Sequence, residues 1–101
     1  METFTSQRFA VVDDMTIYNA LAQKAQLLDA LSQTQALELN LSAVAEMDTA
    51  GLQLLLLVKR EAVEMGKSLT IIGHSPAVQE VLDLCNLVGV FGDPMLISAQ
   101  A

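Results

Sequence analysis

A chain of 101 residues with 52% hydrophobic but only 4% aromatic side chains and no Trp has material for one core built mainly from Leu, Val, Ile and Ala. Twelve Asp+Glu against five Lys+Arg give a formal net charge of -7, which repels a phosphate backbone and excludes nucleic acid as the expected partner. One thiol (Cys85) and one imidazole (His74) allow neither an internal disulfide nor a tetrahedral metal site, so no metal or cofactor is expected and a reducing cytoplasm fits.

In chain order, Arg8-Phe9-Ala10-Val11-Val12 reads as a strand ending at the paired acids Asp13-Asp14, with a shorter extended piece expected at Thr3-Phe4-Thr5. From Thr16 the period changes. Ile17, Leu21, Ala25, Leu28 and Leu31 recur at steps of three and four, which predicts an amphipathic helix capped near Thr16 with those residues on its core face. Ala36-Leu37-Glu38-Leu39-Asn40-Leu41 alternates strictly, so Leu37, Leu39 and Leu41 share one face of a strand. A sheet covered on both faces favours uninterrupted apolar strands; alternation predicts helices gathered on one face.

After Val44 and Met47, the turn Asp48-Thr49 leads into a helical run over about 50–65, closed by Gly66 where a left-handed residue is wanted. Ser68-Leu69-Thr70-Ile71-Ile72-Gly73 predicts the next strand, and Ser75-Pro76 combines a cap with Pro at the first helical position of a further helix through Val78, Val81, Leu82 and Cys85. Leu87-Val88-Gly89-Val90-Phe91 follows neither period clearly; Asp93-Pro94 interrupts it, and Met95-Leu96-Ile97 is a candidate closing strand. The order β-α-β-α-β-α with helical crossovers implies parallel pairing and an α/β sandwich. No apolar run approaches the roughly 18–20 residues that span a bilayer, and no secretory leader, repeat or linker is present, so one domain over 1–101 is expected.

The chemistry centres on Asp48-Thr49. A strand that enters a helix there puts a hydroxyl where backbone N–H groups lack intrahelical partners, a place that also welcomes an anion. Phosphate on Thr49 would accept free amides near the positive helix end while Asp48 repelled the added charge. The plain alternative is an ordinary N-cap, and the residues by themselves favour it.

Ala36 to Met47 followed by Asp48-Thr49-Ala50-Gly51-Leu52 resembles the central signature of STAS domains (sulphate transporter and anti-sigma factor antagonist), a hydrophobic strand leading to Asp-Ser/Thr-x-Gly. Asp14-Met15-Thr16-Ile17, Ala25 to Leu31, Lys59-Arg60-Glu61-Ala62, Gly66-Lys67-Ser68-Leu69 and Ser75-Pro76-Ala77-Val78 are similar to the family's other segments, in order, over roughly residues 8 to 93. The resemblance implies an α/β STAS (anti-sigma factor antagonist-like) fold, a mixed, mostly parallel sheet of about four strands with helices on one face. It also implies a non-catalytic bacterial signalling adaptor whose acceptor hydroxyl, directly after the Asp, is Thr49. The implied partners are a serine/threonine kinase of the anti-sigma type, or a chemotaxis-type signalling protein, and a phosphatase; the output would be transcription, motility or transport. Thr stands here where Ser is commoner, and Val11-Val12-Asp13-Asp14 where many relatives carry a Gly-Glu-Leu/Ile-Asp turn. The alternative implied by the same family is a regulatory subunit of a phospholipid-transport ABC complex, docking on its ATPase through the Asp-Thr-x-Gly helix.

At 100° per residue, Thr49, Gln53, Leu57, Arg60 and Glu64 share one side of that helix, with Leu52, Leu55, Ala62 and Val63 on another. The candidate docking surface is therefore Asp48, Thr49, Ala50, Gly51, Gln53, Leu57 and Arg60, flanked by Leu54 and Leu56. An isolated exposed Leu is the bland explanation of Leu57. Lys59 falls in the apolar arc, where its stem would pack and its ammonium reach water or pair with an acid such as Glu38. Lys59, Arg60 and Lys67 are a candidate site for a partner's acidic group, with a solvated Arg60–Glu64 pair as the alternative. Cys85 is expected in the core, and His74 is expected to be a polar loop residue. No Gly-rich phosphate loop, acid–base pair or Ser/His/Asp set is visible, so an enzyme is not expected.

Overall fold

The computed structural model describes residues 6–85, and its elements run β1 (Ser6–Ala10), α1 (Ala20–Ser32), β2 (Ala36–Leu41), α2 (Thr49–Glu64), β3 (Ser68–His74) and α3 (Pro76–Cys85). The proposed pieces at 3–5 and 95–97, and the unassigned stretch 87–94, lie outside the described residues. Within the described residues the sheet has the order β1-β2-β3, with both pairings parallel as the helical crossovers required.

The alternation of β2 sets the core. Leu37, Leu39 and Leu41 are buried while Glu38 and Asn40 are only half-buried on the opposite face. Leu69 and Ile71 of β3 extend the same layer, and α1, α2 and α3 press Leu27, Leu31, Leu55, Val58, Val78 and Leu82 onto it. On the open face Arg8 Nε donates to Glu38 Oε1 at 3.0 Å, so Glu38 is engaged by the neighbouring strand and not by Lys59.

Helix ends follow local chemistry. Gly66 closes α2 with φ of 71°, Lys67 N–H donates to Ala62 C=O at 2.8 Å and Gly66 N–H to Val63 C=O at 3.1 Å, the paired bonds of a Schellman ending. Ser75 Oγ accepts from Val78 N–H at 3.1 Å, with Pro76 in the first position of α3. Lys67 Nζ donates to Leu31 C=O at 2.7 Å, a cation placed on a carbonyl at the end of α1 that also accepts from Thr34 N–H at 3.4 Å.

Four expectations are corrected. Helix α1 begins at Ala20, four residues after Thr16, and its buried face is Gln23, Leu27 and Leu31; Ile17 (69% exposed), Leu21 (81%) and Ala25 face solvent. The cause is a polar residue in the core-facing stripe: Gln23 Nε2 donates to the C=O groups of Asp14 (3.0 Å) and Asp13 (3.4 Å), holding down the loop ahead of the helix. Apolar periodicity cannot register such a residue. Cys85 ends α3 exposed, not in the core, and Val63 is exposed on α2 because Leu54 and Val58 complete the buried arc instead. His74 is the last residue of β3, paired with Leu41, not a loop residue.

Candidate functional site

Parallel strands carry their following helices' N-termini to one end of the sheet, and the loops β1–α1 and β2–α2 meet there. Met15 and Met47 form an isolated parallel bridge beyond the strands. Met15 N–H donates to Glu46 C=O at 2.9 Å, Asp48 N–H donates to Met15 C=O at 3.2 Å, and Glu46 N–H donates to Asp14 Oδ1 at 3.2 Å. Asn19 Nδ2 adds a bond to Asp14 C=O at 2.8 Å. These bonds make one clasp of residues 13–19 and 46–48.

Asp48 closes the clasp and starts α2. Its Oδ1 accepts from Ala50 N–H at 2.9 Å and Gly51 N–H at 3.2 Å, the N-cap pattern, while Oδ2 accepts from Ile17 N–H at 3.1 Å. Desolvation works against its charge, but the amides of Ile17, Gly51 and Ala50 outweigh it and hold the carboxyl below its ordinary value. Two amides of the first turn beside Thr49, those of Ala50 and Gly51, are therefore bonded to the Asp48 carboxylate.

The glycine of the motif has a steric duty. A Cβ on Gly51 would lie 2.2 Å from Met15 O and 2.9 Å from Met15 C, so only a glycine lets α2 approach the clasp backbone this closely. Gly51 is buried and builds the loop; its partners in the proposed surface are displayed beside it. Thr49, Gln53 and Arg60 are exposed and Ala50 and Leu57 half-buried, which places the expected face of α2 on the outside. Leu54, expected as a flank, is buried.

The cationic half of the surface contracts. Lys59 Nζ donates to Leu69 C=O at 3.2 Å and Lys67 Nζ to Leu31 C=O, so both ammonium groups are spent on backbone carbonyls and Arg60 alone stays outward. The fold brings α2 across β3, so the Lys59 ammonium meets backbone where the sequence suggested water or Glu38.

What sequence reasoning missed is the contribution of α1. Ile17, Ala20, Leu21 and Lys24 line one wall of an open groove of about 400 Å³, and Ala50, Gln53 and Leu57 belong to the other. Tyr18, next to Ile17 in the chain, is 92% exposed. A second depression continues past Leu57 to Arg60. The stripe of Ile17 and Leu21 is the available signal, and periodicity alone places it on the core face instead.

The family model described as MlaB, STAS domain matches residues 2–97. The fold is shared with the crystal structure of a Thermotoga maritima protein described as an anti-sigma factor antagonist (TM-score 0.77, 21% identity, covering 87% of this chain and 77% of that one). It is shared too with the anti-sigma factor antagonist SpoIIAA in its unphosphorylated form (TM-score 0.72, 20% identity, 98% and 88% covered). No curated protein matches the chain in sequence. With a family model spanning nearly its whole length and the Asp48-Thr49-Ala50-Gly51 loop seated where strand β2 meets helix α2, the chain belongs to the STAS domain family.

Proposed function

We propose that this chain is a single-domain, non-catalytic signalling adaptor of the anti-sigma-factor-antagonist type, and that Asp48, Thr49, Ala50, Gln53, Leu57 and Arg60 meet its partner. The observation that carries the reading is the open apolar groove whose rim runs along Ala50, Gln53 and Leu57 directly after the exposed Thr49. Apolar side chains as exposed as Ile17 and Leu21, gathered beside a hydroxyl-bearing loop, suit protein recognition better than chemistry. The partner class is a kinase of the anti-sigma type or another cytoplasmic signalling protein, with a phosphatase reversing the modification.

Thr49 is the proposed acceptor. Its phosphate changes the surface potential next to the Asp48 carboxylate and so exchanges partners by charge and bulk. Incubation with ATP and the kinases of its own genome, followed by mass spectrometry, tests this directly: phosphate is expected on Thr49, and phosphate elsewhere or none despite a tight kinase complex refutes the switch. Leu57→Asp is expected to abolish partner binding; unchanged affinity in Leu57→Asp, Thr49→Ala and Thr49→Glu alike removes the docking surface as well.

A regulatory subunit of a phospholipid-transport ABC complex is the second reading. It uses the same groove without phosphate, and the occupation of the α2 amides by Asp48 favours it, because no anion is needed to complete the loop. A stable complex with a transporter ATPase, insensitive to Thr49→Ala, would select this reading over the first.

A further inference from the structure

We infer that the groove between α1 and α2 receives one face of a partner's amphipathic helix, laid so that the helix's basic end covers the clasp and its acidic end reaches Lys24 and Arg60. This rests on the proposal that the groove is the docking surface, and adds what fills it and which way its charge points. The apolar part is set by Ile17 in the clasp, Leu21 on α1 and Leu57 on α2.

The walls are formed mainly by helices α1 and α2, which present no strand edge, so an extended peptide would find no backbone ladder here and would bury unpaired groups. A helix satisfies its own backbone and offers side chains at helical spacing to such a trough.

The ends of the groove differ in charge. At the Ile17 end lies the clasp, where Glu46 N–H is bonded to Asp14 Oδ1 and Ile17 N–H to Asp48 Oδ2, and where Asp13 and Glu46 are exposed. Exposed Tyr18 offers a ring face at the same end, which suits Arg or Lys. One helical turn into α1 from Ala20, the groove is lined by Lys24, and the α2 wall continues to Arg60. Lys59 and Lys67 add nothing to that end because their ammonium groups are held by carbonyls, and the acids near it on α2 are Glu61, half-buried next to Arg60, and Glu64, a further turn along. Two exposed carboxylates, Asp13 and Glu46, beyond one end of the apolar trough and two exposed cations, Lys24 and Arg60, toward the other define a polarity that a partner must match.

The test uses the full chain and a side-chain-crosslinked helical peptide of about 18 residues, long enough to hold a helix once stapled. It carries leucines at i, i+3, i+4 and i+7, arginines at one end and glutamates at the other. Amide NMR should show shifts confined to the groove, with a nitroxide on the arginine end broadening Asp13 and Glu46, and one on the glutamate end broadening Lys24 and Arg60. Asp13→Lys combined with Glu46→Lys, side chains outside the clasp's hydrogen bonds, should weaken binding about tenfold or more.

The inverted broadening pattern, unchanged affinity in that double variant, shifts elsewhere or no binding at all would overturn the inference. So would concentration-dependent loss of the same signals without peptide, relieved by Leu21→Ser, since a second copy would then be the occupant. The two readings fail separately. If the cognate protein is lost on Leu57→Asp while the peptide arm fails, the docking surface stands and only its helical, polarised occupant falls.

Discussion

Gly51→Ala asks whether the close approach of α2 to the clasp is a requirement of the fold. Inside an exposed helix this change stabilises by about 1 kcal/mol, because Gly loses more backbone entropy than Ala. Here the new methyl would sit 2.2 Å from Met15 O, and the obstacle is backbone, with no flexible side chain to turn aside. Relief requires Met15 to move by roughly an ångström, which strains or breaks Met15 N–H to Glu46 C=O and Asp48 N–H to Met15 C=O. Two such bonds are worth about 1 kcal/mol each, and overpacking adds about 1–3 kcal/mol. Less the propensity gain, the expected destabilisation is about 3 kcal/mol. Urea denaturation followed by circular dichroism should show a lower midpoint at unchanged slope, and the thermal midpoint should fall by roughly 10–20 °C for a domain of this size. The sign decides the matter: a variant as stable as the parent, or more so, would mean that the bridge between residues 15 and 47 does not constrain α2.

Leu21→Ser should leave stability within about 0.5 kcal/mol, whereas Leu27→Ala, six residues later on the buried face, should cost about 2–5 kcal/mol; comparing urea midpoints of the pair checks the orientation of α1. Gly66→Ala should cost about 1 kcal/mol from the positive φ alone, since no atom crowds the position, and is read by the same denaturation. Because Asp48 is held below its ordinary value, its contribution is present above the unfolded carboxylate range and is lost as pH falls through the folded value. The gap in urea midpoint between parent and Asp48→Asn should therefore be constant at neutral pH and close only below the ordinary aspartate range; a gap independent of pH down through that range would refute the assignment.

The elements bound by local chemistry were legible in the sequence. Strict alternation over Ala36–Leu41 exposed the one-sided sheet, and Gly66 and Ser75-Pro76 marked a helix end and a helix start through φ preference and side-chain capping. Asp48-Thr49 announced itself as a cap for the same reason. The Asp-Thr-x-Gly pattern, in its ordered surroundings, indicated the family.

What the sequence by itself determined is thus the order and type of elements and the loop where the chemistry lies, because these follow from periodicity and from bonds between residues a few positions apart. Only the tertiary structure decided which face of α1 is buried: Gln23 is spent on carbonyls ten residues away, and the apolar pair Ile17 and Leu21 turns outward to a groove shared with Leu57. It also decided that Asp48 reaches across 31 positions to Ile17, that Gly51 serves Met15, and that Lys59 and Lys67 bind carbonyls. Those contacts join segments brought together only by the parallel sheet, and no local pattern encodes the distance between them.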